Sequence, residues 1–195
     1  RGLLSRVPGA RCIPNAIHRC GDRRCSLIAV VCDDAGFQHT LPQVILPKNY
    51  LKKTPGAHLQ SLYASMGSPI QAWHGTAGFN DTSCMKMWLR MISKHVHNKL
   101  GEIGIVLIMD ALRVHWGEEV LQLCARLHIT PIIVPARCTW FLQTLDVLVF
   151  QHLKRNLSKK LIAAESVSSE NKVSWPDHIR SMGKSIQDVL VTQPW

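Results

Sequence analysis

The feature that most constrains the fold is a pair of strand–helix units between residues 103 and 161. Ile105-Val-Leu-Ile-Met109 is a continuous apolar strand ending in Asp110. Glu118 to His128 follows as a helix with Val120, Leu121, Cys124 and Leu127 facing inward. Ile132-Ile-Val134 is a second, short strand stopped by Pro135. Leu145 to Leu161 is a second helix, with Leu145, Leu148, Val149, Leu153 and Leu157 apolar. Strands alternating with helices over short links predict parallel strands joined by right-handed crossovers, and so an α/β fold.

The residues upstream add a hairpin. Ser26 to Cys32 (SLIAVVC) is a β-branched run, Asp33-Asp34-Ala35-Gly36 signals a turn, and Leu41 to Leu46 reads as the returning strand. A hairpin ahead of parallel strands makes the expected sheet mixed. Pro42 indicates an edge position or a strand start. Residues 48–80, with Pro55, Gly56, Gly67, Pro69, Gly75 and Gly78, read as a long surface connection. Asn80-Asp81-Thr82 then caps an amphipathic helix whose Met85, Trp88, Leu89, Ile92 and Val96 share one buried face. The organisation expected is a basic arm over 1–22, a main domain over 23–162, and a C-terminal region over 163–195. That last region carries a Ser/Glu-rich linker and a short helix opened by Trp175-Pro176-Asp177.

Composition narrows the partners. Lys and Arg total 23 against 13 acidic residues, a formal charge of +10. Such an excess favours nucleic acid or an anionic surface as partner, and a solvated basic face is the plainer explanation. Six Arg fall within residues 1–24, including Arg23 and Arg24, and Lys154, Arg155, Lys159 and Lys160 cluster on the last long helix. No apolar run reaches the ~18 residues of a membrane-spanning helix, so no membrane partner is expected. Seven cysteines, an odd number without paired CxxC knuckles, are expected as free thiols in a reducing compartment. Cys32, Cys124 and Cys138 are expected to be buried among them.

In an open α/β sheet, ligands gather beyond the carboxyl ends of the parallel strands. Asp110 closes one such strand, expected to be buried, and Asp146 follows the second, with 35 residues (111 to 145) between the two aspartates. Two carboxylates on a rigid edge suit Mg²⁺ or Mn²⁺, whose ligands are hard oxygens. On spacing alone, Asp110 as a strand-end turn residue and Asp146 as a helix cap is the plainer reading. No Gly-rich phosphate loop or GxSxG elbow competes with this edge, and His95 and His97 lie on different faces of one helix.

The flanking residues carry a resemblance. LIMDALRVHW at 107–116 resembles the second-acid motif of DDE transposases, and TWFLQTLDVLVFQHLKRNL at 139–157 resembles the third-acid motif of their pogo/Tigger branch. IVPARCT at 133–139 is similar to the proline-containing segment between them, and RRCSLIAVVCDDAGFQHTLPQVILP at 23–47 to the early hairpin. These four ordered segments identify the chain as similar to a DDE superfamily endonuclease domain. The resemblance implies an RNase H-like mixed sheet with flanking helices, here expected to be N-terminally truncated. It further implies metal-dependent cleavage and strand transfer on DNA, with nuclear localisation and oligomerisation as corollaries.

Residue by residue, the resemblance makes Asp110 and Asp146 the second and third metal-binding acids. His115 and Gln143 become supporting catalytic residues, and Lys154, Arg155, Lys159, Arg23 and Arg24 nucleic-acid contacts. Thr144 replaces the usual Pro, and Ala111 the usual Asn. The first acid has no counterpart: residues 1–21 contain none, and Asp33 and Asp34 sit in the hairpin turn. The chain is therefore expected to be inactive alone. The alternative is a domesticated or relic domain that binds DNA without catalysis.

Overall fold

A computed structural model of the chain describes residues 25–47, 69–73, 80–138, 142–143, 145–167 and 173–192. The basic arm over 1–22, with Arg23 and Arg24, lies outside the described residues. The described strands form two sheets where one mixed sheet was expected. Strands β1 (Cys25–Ile28), β2 (Gln43–Pro47) and β3 (Ile70–Ala72) lie in the order β1-β2-β3, and β4 (Ile105–Asp110) pairs with β5 (Ile129–Val134). β1 and β2 are antiparallel, whereas β2–β3 and β4–β5 are parallel. The α/β class and the mixed strand directions thus hold, and no strand among the described residues bridges the sheets.

The hairpin departs from a simple turn. β1 stops at Ile28, and Asp34 accepts from the Gly36 and Phe37 amides to cap a single helical turn, α1 (Ala35–Gln38). Side chains nevertheless keep strand alternation through Cys32. Cys25, Leu27, Ala29 and Val31 face one core, and Ile28, Val30 and Cys32 the other. β2 lies between β1 and β3, so Pro42 marks a strand start and not an edge. The stretch read as a long connection holds β3, which contributes buried Ile70.

Two cores meet at β2. On one side Val44 and Leu46 pack with the helix α2 (Thr82–Leu100) and with α4 (Glu118–Arg126), β4 and β5. Asp81 caps α2 by accepting from the Cys84 amide, and Met85, Trp88, Leu89, Ile92 and Val96 are all buried as their spacing required. On the other side Ile45 packs with α5 (Phe150–Val167), α6 (Trp175–Ile186) and the π-helical turn Gln187–Val191. Ile179, Ile186, Val189, Leu190 and Val191 of this C-terminal stretch are buried there. Ser174 caps α6 through the Asp177 amide, at the position Trp175-Pro176-Asp177 signalled.

Several apolar residues lie outside. β4 was expected to be buried throughout, but Val106 is 64% exposed and Ile108 54%, while Met109 is buried against α2 and α4. The strand is covered on one face only, because the described helices of this half pack on a single side. Leu121 points outward from α4, with Leu123 taking the inward place. Leu148 is also exposed, since the chain enters α5 through a π-helical turn (Leu145–Val149) that rotates it off the core side. The described cysteines are free, with Cys84 and Cys124 buried and Cys32 and Cys138 only partly so. Among the described residues no helix is long and apolar enough to cross a membrane.

Candidate carboxylate edge

Asp110 is the last residue of β4 and stands in register with Val134, the last residue of β5. Both parallel strands therefore end at one rim, as the alternation of strands and helices required. Beyond Asp110 the chain enters a short helical turn, α3 (Arg113–Trp116), which returns His115 toward the strand end. His115 Nδ1 lies 2.5 Å from Asp110 Oδ1. The Leu112 amide donates to the same oxygen at 3.0 Å. Asp110 is thus both a turn residue and a carboxylate held in place by a neighbouring ring.

Asp146 lies within electrostatic reach of this rim. The chain leaves β5 at Pro135, and the Asp146 and Val147 amides both donate to the Gln143 carbonyl at 3.0 Å. Asp146 lies in the first turn of the π-helical segment Leu145–Val149 that leads into α5. Its carboxyl is held above the usual carboxylate range, first by burial and then by repulsion from Asp110, with Lys154 opposing. The repulsion shows that the structure brings the two predicted carboxylates within electrostatic reach, and the opposing effect puts Lys154 there too.

Gln143 contributes an unusual atom: its Oε1 is buried without a hydrogen-bond partner. Two mutually repelling carboxylates are hard-oxygen donors of the kind a divalent cation takes. The set stops at two acids, since no group of three His, Cys, Asp or Glu able to hold a metal occurs among the described residues. Asp34 in the hairpin turn spends its carboxylate on the α1 cap.

The basic residues divide. Lys154, Arg155 and Lys159 are exposed on α5. Lys160 is instead tied 2.9 Å from Asp188, across to the C-terminal turn. Sequence reasoning gives no cause to single out Trp116, whose indole is half-exposed beside Asp110. Its place directly after His115 was the one available signal.

The family described as DDE superfamily endonuclease matches residues 26–192. A human protein, "Pogo transposable element with ZNF domain", is 34% identical over 98 residues. That match covers 50% of this chain and 7% of the human protein, so the chain spans a small part of that relative. No solved structure matches.

Proposed function

Because the chain belongs to the DDE superfamily endonuclease family, we propose that it is the nucleic-acid-handling domain of a transposase-derived endonuclease. Its two small sheets are then parts of an RNase H-like fold. Asp110 and Asp146 would hold the divalent cation, Mg²⁺ or Mn²⁺, at a DNA phosphodiester. The observation that carries this reading is the rise in the Asp146 carboxyl caused in part by Asp110. Two carboxylates held in mutual repulsion bind a cation between them with that repulsion relieved. When bound, such a cation polarises a phosphoryl oxygen and favours ionisation of an attacking water.

The chain's own residues do the positioning. His115 and the Leu112 amide fix Asp110, and the turn anchored on the Gln143 carbonyl fixes Asp146. Lys154 moderates the negative charge of the rim, and with Arg155 and Lys159 offers cations to the phosphates that flank the bond. With two acids in place, the chain alone binds DNA and cation without appreciable cleavage. Acting on DNA, it would work in the nucleus.

A non-catalytic DNA-binding domain is the second reading. It is favoured by the protein groups that already satisfy Asp110. Titration of Mn²⁺ followed by electron paramagnetic resonance separates the two. One site lost in both Asp110→Ala and Asp146→Ala supports the metal reading. Absence of a Mn²⁺ site, with DNA binding insensitive to EDTA, supports the second. A Mn²⁺-dependent nicking activity abolished by Asp110→Ala would overturn the expected inactivity.

A further inference from the structure

We infer that Trp116 is a stacking platform for an unpaired DNA base beside the carboxylate edge, a role that rests on the nucleic-acid reading above. Trp116 ends α3, the turn that also returns His115 to Asp110. Its Nε1–H donates to the carbonyl of Ala111, the residue after Asp110, at 3.0 Å. The side chain is therefore tethered through its edge to the backbone of the rim. A hydrogen bond in the ring plane leaves the π faces available.

The indole stands 48% exposed, and no ring among the described residues stacks on it. Trp88, 3% exposed in the core under α2, shows how differently this fold treats a packing tryptophan. Two further exposed side chains share the turn, Leu112 at 53% and Arg113. The turn thus exposes an indole, an apolar side chain and a guanidinium within five residues. That combination suits a nucleotide: the base stacks, and the phosphate pairs with the guanidinium.

An unpaired base is favoured over a paired one because stacking on a protein ring needs a face that the duplex already uses. Stacking is also indifferent to base identity, since every base has a π face. A strand lying with its phosphate at Asp110 and Asp146 would thus be held on its neighbouring base without sequence readout.

The test is fluorescence anisotropy of a labelled single-stranded oligodeoxynucleotide and of the blunt duplex of the same sequence, in EDTA. The proteins are the full chain and its Trp116→Leu and Trp116→Phe variants, checked by circular dichroism. Trp116→Leu keeps apolar bulk without a ring. It should weaken single-strand binding about tenfold, whereas Trp116→Phe should stay within about threefold of the parent. Duplex affinity should not move in either. Trp116→Gln replaces the leucine variant if that one misfolds, with the same loss expected. Equal single-strand affinity in parent and Trp116→Leu, or equal losses for both DNA forms, overturns the stacking role alone. If the parent chain binds neither DNA form, the nucleic-acid reading itself fails and the platform with it.

Discussion

Gln43 holds Val30 by both ends of its backbone unit: the Val30 amide donates to Gln43 Oε1 at 3.0 Å, and Gln43 Nε2 donates to the Val30 carbonyl at 2.8 Å. A side-chain amide here stands in for a strand partner. It is why the chain stays extended past the end of β1, with the Cys32 amide held likewise by Gln38 Oε1 at 2.8 Å. Gln43 and Gln38 are almost wholly buried, so each hydrogen bond replaces one that water would otherwise make.

Gln43→Leu keeps similar bulk and removes the partner of the Val30 amide, while its carbonyl keeps only the longer bond from Gln38 Nε2 at 3.4 Å. Leaving that amide unsatisfied should cost about 1–3 kcal/mol of unfolding free energy. Urea denaturation measures it, and a change within about 0.5 kcal/mol would show that water replaces the clasp.

The carboxylate edge sets a pH dependence. Asp146 has its folded pKa raised above the ordinary value of 3.8, so the folded state holds its proton more tightly than the unfolded chain. Stability from this group is accordingly present at low pH and declines as pH rises from 3.8 through the raised value. Asp110→Asn removes the repulsive part and leaves the larger part due to burial. The Asp146 carboxyl should then titrate lower while staying above 3.8, as carbon-detected NMR would follow. An unchanged titration would mean that the two carboxylates do not interact.

Lys154, Arg155 and Lys159 are expected to act on DNA affinity and not on folding. Each change to alanine should weaken binding regardless of sequence and lower the slope of log affinity against log salt by about 1. Lys160→Ala is the internal contrast. Its pairing with Asp188 is partly exposed and should contribute less than about 1 kcal/mol to stability, and its loss should leave the salt slope unchanged.

Gly101 ends α2 with φ +78 and ψ −169, a conformation disfavoured for residues with a side chain. An added Cβ there would meet nothing within 4 Å. Gly101→Ala should therefore destabilise by about 1–3 kcal/mol through backbone conformation alone, with no steric part. Thermal unfolding checks this, and an unchanged midpoint would mean that the helix end rearranges freely.

Much of this layout is written in local pattern. The α2 face, the Asp81 cap and the strand ending in Asp110 follow from periodicity and capping, because each depends on neighbours a few residues apart. That Asp110 and Asp146 lie within electrostatic reach of each other depends on topology as well, which the strand–helix alternation supplies. What stayed hidden depends on distant partners. β3 is only Ile70–Ala72, flanked by Pro69, and exists because the β2 edge accepts it. Val106 and Ile108 read as buried because strand composition cannot tell whether one face or two is covered. Gln38 beside the turn and Gln43 in the returning strand look like ordinary polar residues until the backbone they satisfy is seen.

Gln38 also reaches the far end of the chain, its Nε2 donating to the Leu190 carbonyl at 2.7 Å across 152 positions. The first hairpin and the last turn are thereby fastened to each other, and neither is an appendage to be trimmed. An expression fragment ending before Trp175 would strip much of the cover from Ile45 and take from the Gln38 amide its shorter hydrogen bond. Shortening from the carboxyl end should thus cost yield and solubility well before it touches the acidic rim.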